Sequence, residues 1–149
     1  MLTCFDVAKY FLTLADDDAS DSISNMKLQK LVYYAQGLYL ALHGRPLFNH
    51  EIEAWTHGPV VPDLYHLYKE HGSDRIPCPE DIDFSIYDND TKEFLNEVYD
   101  IFGQYSAWKL RNMTHEEPPW KEAAPDNDVI SHDSMKQHFR QFVVEEETA

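Results

Sequence analysis

Eight histidines are spread through 149 residues, and their spacing is the first test of whether this chain does chemistry. His57, His66 and His71 fall close together, and His115 directly precedes Glu116 and Glu117. Imidazoles beside carboxylates can ligate zinc or move protons. A zinc-protease helix sets two histidines four apart with a glutamate between them, and no such pair occurs. Cys4 and Cys78 are far apart, and neither has a partner at ligand or redox spacing. A long-range metal site assembled from His57, His115 and an acidic residue stays open on spacing alone. No Gly-x-Ser-x-Gly elbow offers a nucleophile, and the five glycines are too dispersed for a phosphate-cradling loop. Carboxylate pairs abound, but in so acidic a chain they arise by chance. The expectation is therefore no catalytic residue, no bound metal and no cofactor. The one enzymatic rival is a hydrolase working from a His57, His115 and Glu117 cleft.

The aromatic residues suggest a different activity. Tyr and Trp anchor protein interfaces because they join an apolar body to a polar tip. Tyr33 and Tyr34 occupy successive positions, so both are not expected on one core stripe, while Trp108 and Trp120 flank a Thr-His turn and Trp55 stands at a Gly-Pro corner. Most of these rings are expected in the core. Those left outside on an acidic face would form a site for a basic protein partner. Lys27, Lys30, Lys109 and Arg111 are the nearby cations. In an acidic domain they are expected to make intramolecular ion pairs, each worth ~1 kcal/mol or less where exposed, and no binding role follows from them alone.

The elements that must position these groups are mainly helical. Thr3 caps a first helix with Asp6 completing a capping box, and Phe5, Ala8, Phe11, Leu12 and Ala15 form its buried stripe. Asp16 to Asp18 oppose the helix dipole and are read as the loop that ends it. Asn25 caps a second helix that runs to His43, where Gly44 and Pro46 stop it. Gly58-Pro59 turn the chain into a third helix, begun by Val60 or Pro62 and closed by Gly72, burying Val61, Leu64, Tyr65 and Tyr68. Residues 74–90 form a loop in which Ile82, Phe84 and Ile86 alternate with polar residues as an edge strand that could pair with 52–55. Asp90 caps a fourth helix with Phe94, Leu95, Val98, Ile101, Phe102 and Tyr105 on its apolar face. Ser106 caps a fifth. Pro118-Pro119 break the chain before a turn at Trp120, and residues 126–128 read as linker. Ser131 opens a last helix over about 131–145, stapled by Ile130 and Met135, anchored by Phe139, Phe142 and Val143, and frayed at Glu145–Glu147. The fold class is mainly α: one compact domain over 1–149, of about six helices with a minor two-stranded element.

Bulk properties agree. A chain of 149 residues, 43% hydrophobic and 13% aromatic, is long enough to bury roughly 70% of its unfolded surface. The net charge of −15 disfavours direct binding to nucleic acid or to anionic membranes, and favours a basic partner. No apolar run precedes Asp6 and Lys9, so neither a signal peptide nor a membrane span is expected, and the cytoplasm is the expected location.

Three segments carry a further signal. Lys27–Gln36, Ala54–Tyr65 (Ala-Trp-Thr-His-Gly-Pro-Val-Val-Pro at its start) and Tyr105–Trp120 (with Thr-His-Glu-Glu-Pro-Pro-Trp at its end) resemble, in that order, the signature blocks of the Panacea domain. That family is also described as phage-associated GepA-like or SocA-like. The resemblance runs from about Phe5 to Ala123, and residues 124–149 resemble nothing placed. It implies an antitoxin that neutralises a cognate protein toxin by direct stoichiometric binding. One member instead delivers its toxin to a ClpXP-type protease, so an adaptor is the alternative, and a hydrolase reversing toxin damage a third. Some relatives carry a separate DNA-binding domain, and in a chain of this length and charge none is expected. The family's toxin contacts do not transfer by position. The polar and aromatic members of the blocks are the expected partner-binding set: Gln29, Tyr33, Gln36, Trp55, His57, His115 and Trp120.

Overall fold

The computed structural model describes residues 1–15 and 22–148, with side chains as far as Val143; the expected loop at Asp16–Asp18 lies outside them. In chain order the elements are α1 (Cys4–Leu14), α2 (Asn25–His43), β1 (Glu53–Trp55), β2 (Gly58–Val60), α3 (Pro62–Tyr68), α4 (Asn89–Phe102), α5 (Ala107–His115), α6 (Pro118–Ala123) and α7 (His132–Thr148). Short 3-10 turns follow α3 and α6, and another spans Phe84–Ile86.

The architecture is set by α2. The other helices α1, α3, α4, α5 and α7, together with β2, all pack against it. Every residue from Asn25 to Gly37 except Met26 is buried in consequence. A helix enclosed on all sides has no solvent stripe, which is why Tyr33 and Tyr34 both lie in the core, contrary to expectation. Their rings pack on Phe139 of α7, and Tyr34 stacks on Phe102 of α4 at 4.1 Å. The packing of α2 on α7 is the most extensive of all. It is closest at Gly37, where a Cβ would fall inside the Phe139 ring.

Local capping explains most boundaries. The Thr3 hydroxyl accepts from the Asp6 N–H at 3.1 Å while the Asp6 carboxylate accepts from Thr3 N–H at 2.9 Å, the expected capping box. Cys4, Val7 and Tyr10 join the buried face of α1, whereas Phe5 is only half-buried, edge-on to His50. Ser24, not Asn25, caps α2, since its hydroxyl accepts from Lys27 N–H at 3.3 Å. Asn25 is drawn inward to donate to the Tyr65 carbonyl at 3.1 Å. The helix ends at Gly44 (φ +73°), whose N–H reaches the Leu40 carbonyl. Asp88, not Asp90, caps α4 by accepting from Thr91 N–H at 2.7 Å. That frame leaves Leu95 and Val98 buried and turns Ile101 outward, 51% exposed. Ser106 caps α5 as expected. Pro118 and Pro119 do not break the chain. They begin α6, at positions where the missing N–H costs nothing. Ile130 and Met135 are both buried around Ser131, which fits the expected staple. Phe139 and Val143 are buried on α7, but Phe142 is 54% exposed. The helix runs through Thr148, past the expected fraying at 145–147.

The small sheet is a hairpin. β1 and β2 pair antiparallel with Trp55 opposite Gly58, so Thr56-His57 form a two-residue turn. Gly-Pro at 58–59 thus belongs to a strand, and α3 begins at Pro62. Val61 and Leu64 of that segment are buried, whereas Tyr65 and Tyr68 are half-buried. The expected strand at 82–86 does not pair with 52–55. The Asp83 carboxylate accepts from Ser85 N–H at 3.0 Å, a local bond that competes with strand geometry and folds the segment into a 3-10 turn. The other side of β1 is taken by the segment expected to be linker: Ala54 N–H donates to Asp128, and Ile130 N–H to Ile52.

Candidate functional site

A cleft of about 920 Å³ opens between the start of α2, the β-hairpin, α3 and the first turn of α5. Its walls are assembled by side chains of the central helix whose polar ends meet backbone groups elsewhere. The Gln29 carboxamide accepts from Val61 N–H at 2.9 Å and donates to Asn25 at 2.9 Å, tying the start of α3 to α2. The Lys30 ammonium donates to the Pro59 carbonyl at 3.2 Å and so fixes the hairpin. Farther along α2, Gln36 donates to the Phe48 carbonyl at 2.7 Å and accepts from Leu47 N–H at 2.8 Å, an amide bridge that pins the following loop. Lys27 donates to the Gly103 carbonyl at 2.7 Å, joining the end of α4 to α2. Lys27 and Lys30 are therefore buried struts, not residues of the solvated surface. A buried ammonium needs acceptors, and carbonyls left free by loops and helix ends supply them.

The aromatic rim lies on the hairpin side. Trp55 is half-buried, edge-on to Tyr65 at 5.1 Å, and its indole N–H donates to Glu53 at 2.9 Å. Its carbonyl accepts from the Trp120 indole N–H at 2.8 Å. His115 stacks on Trp120 with ring centres 4.0 Å apart and planes 10° from parallel. Burial, then the nearby Arg111, lowers the His115 pKa below its ordinary value, so the ring stays neutral at pH 7. His57 is exposed at the hairpin tip, 3.4 Å from the Arg111 guanidinium. Arg111 also lies 4.5 Å over the ring of Trp108. Trp108 is 58% exposed, far more than any other tryptophan.

The seven expected partner-binding residues thus separate. Trp55, His57, His115 and Trp120 gather around the hairpin and the end of α5. Gln29, Tyr33 and Gln36 are buried, with their polar atoms engaged inside. The expected His57, His115 and Glu117 cleft is not assembled either. His57 and His115 are neighbours, but Glu117 turns inward, accepting from Tyr33 at 3.2 Å and Tyr34 at 2.8 Å. Its carboxyl is pushed up to about 7 by burial, against those two hydrogen bonds. Among the described residues no group of three or more His, Cys, Asp or Glu is placed to hold a metal ion. From the linear chain Lys30 is expected only as an ion-pair partner, and Trp108 stands outside the expected site. An alternating Lys and Leu pattern looks the same on a solvated helix as on an enclosed one. For Trp108 a signal existed, since it lies one residue beyond the start of a capped helix, on the face opposite Leu110.

Residues 28–121 match the family model described as antitoxin SocA-like, Panacea domain. Antitoxin SocA of Caulobacter vibrioides (strain NA1000 / CB15N) is 36% identical over 109 residues, covering 66% of this chain and 58% of that protein. The chain therefore spans less than two thirds of that relative's length. No solved structure matches the chain.

Proposed function

This chain belongs to the SocA-like Panacea domain family, and from that premise we propose that it is an antitoxin which neutralises a protein toxin by holding it in a stoichiometric complex. The observation that carries this reading is the aromatic-rimmed cleft. Trp55 and the exposed Trp108 border an open volume of about 920 Å³, and large rings around a pocket are the usual anchors of a protein interface. The buried members of the signature blocks support that face from behind: Gln29 and Lys30 hold its walls, while Tyr33 and Gln36 lock α2 into the core. The net charge of −15 would speed encounter with a basic toxin. Residues 1–149 are read as one domain, because α7, beyond the matched segment, completes the packing around α2. Neither Cys4 nor Cys78 is in a disulfide, and no helix of the described residues is long and apolar enough to cross a membrane. Both features suit a cytoplasmic complex.

The test is co-expression with the protein encoded beside this chain. Growth should be rescued, both proteins should co-elute in fixed ratio, and the toxin's half-life should be unchanged. Faster toxin loss would instead favour delivery to a ClpXP-type protease. Rescue at far less than one copy per toxin would favour an enzyme. A harmless neighbour and no co-eluting protein would overturn the reading.

A further inference from the structure

The described residues that line the cleft differ in charge from the chain as a whole. The chain holds 27 acidic residues against 12 lysines and arginines, yet no Asp or Glu is among the described residues that line the cleft. Lys30 and Lys69 do line it, with His57 at its edge. The Arg111 guanidinium lies just beyond, held between His57 and the Trp108 ring. Lys30 is the informative member. Its side chain is 1% exposed, and its ammonium has three N–H donors with one acceptor, the Pro59 carbonyl. A buried cation retains its charge only when paired or fully hydrogen-bonded. Lys30 lines a cavity whose walls are mostly apolar, so a ligand would reach its ammonium only by a small shift of that side chain.

We propose that this cleft binds a carboxylate carried next to an apolar side chain: an Asp or Glu on an extended segment of the protein partner, its oxygen on Lys30 and its apolar neighbour among Trp55, Tyr65 and Trp108. The partner's being the toxin rests on the function proposed above; the ligand chemistry does not. A basic toxin and an acidic anchor are compatible, because net charge acts over a Debye length of about 8 Å or more while the anchor acts at contact. Burial, and secondarily Arg111, pulls the Lys30 amine down to about 7. An arriving carboxylate would supply the countercharge that the site lacks and draw a proton onto the amine.

The test uses the whole chain and two matched pairs of probes. The small pair is 3-phenylpropionate and its neutral amide. The peptide pair is N-acetyl-Leu-Glu-Phe-amide and the same peptide with Gln. Binding is read from tryptophan fluorescence and from the Lys30 side-chain nitrogen resonance. Both carboxylate probes should bind saturably, each about tenfold or more tighter than its neutral twin, a difference of ~1.4 kcal/mol. Both should shift the Lys30 resonance. Lys30→Met, which keeps the length of the side chain, should abolish that preference with the circular dichroism spectrum unchanged. Equal binding of neutral and charged probes, or no saturable binding, overturns the proposal, and neither result needs a variant that folds. Binding of phenylpropionate without the blocked Glu peptide overturns the peptide source. A toxin complex equally tight with wild type and Lys30→Met would overturn the cleft assignment and leave the antitoxin function standing. Discrimination between probes with no toxin complex at all would do the reverse.

Discussion

Replacing Glu117 by Gln should stabilise the protein by an amount that grows as pH rises. Glu117 sits at the start of α6, and its carboxyl reaches back between α2 and α7. Two tyrosine hydroxyls donate to it, at 3.2 and 2.8 Å, and His138 Nε2 lies 4.0 Å away. That distance is within ion-pair reach, yet burial shifts both groups toward their uncharged forms, Glu117 upward and His138 downward. Burial thus disfavours the charged form of each partner and works against a salt bridge here. The ordinary carboxyl value of 4.5 is raised to about 7 in the folded chain. Its stabilising contribution is accordingly complete below 4.5 and is lost as pH climbs through 7, where the folded chain must bury a charge that the unfolded chain solvates. At about 1.4 kcal/mol per pH unit the whole loss is ~3 kcal/mol, most of it between pH 5 and 7. Gln keeps the shape, can still accept from one tyrosine and donate to the other, and does not titrate. Urea unfolding of both proteins at pH 5, 6, 7 and 8, followed by tryptophan fluorescence, reads the difference directly. Titrations common to both proteins, among them the many surface carboxylates, largely cancel. The stability of the variant relative to wild type should rise by about 2 kcal/mol or more over that range. A difference that stays constant, or falls with pH, would refute the argument that burial dominates at this carboxyl.

Three further outcomes follow from the packing and the rim. Gly37→Ala would ordinarily gain about 1 kcal/mol in a helix interior, but its Cβ would collide with Phe139. The expected result is a loss of about 1–3 kcal/mol from overpacking, seen as a lower thermal midpoint, and a stabilised variant would show that α7 does not press on α2 as described. Gly58→Ala forces a φ of +111° on a residue with a side chain and sets its Cβ 2.6 Å from Lys30 Cε and 2.9 Å from Thr114 Oγ1. It should cost about 1–3 kcal/mol and broaden the amide resonances of the hairpin, whereas unchanged stability would contradict the close approach of Lys30. Trp108→Ala should change folding stability by about 0.5 kcal/mol or less, as exposed positions do. It should weaken the toxin complex by ~2 kcal/mol, roughly thirtyfold, by calorimetry, and undiminished affinity would remove Trp108 from the interface.

Local chemistry was legible in the linear chain. Thr3 with Asp6, Ser106, the Ile130–Met135 pair and Gly44 all mark helix ends, because capping is decided within a few residues of backbone and needs no distant partner. The three ordered blocks were enough to indicate the family. The choice of Ser24 over Asn25 depended on which side chain a distant group would claim. Asn25 is claimed by Gln29 and the Tyr65 carbonyl, and that competition is invisible in sequence.

The tertiary structure alone decided what surrounds α2, and the candidate site follows from that. A helical period shows that residues 28, 31, 32 and 35 share a face; it does not show whether the opposite face meets water or α7. Enclosure turned Tyr33 and Tyr34 into core residues, raised the Glu117 carboxyl, and made Lys30 a buried wall of a cleft that no Asp or Glu lines among the described residues. Composition determined how much charge the chain carries, while the fold determined where that charge is missing. The difference arises because burial is a property of what packs against a residue, and packing joins positions eighty or more apart, as between Tyr33 and Glu117.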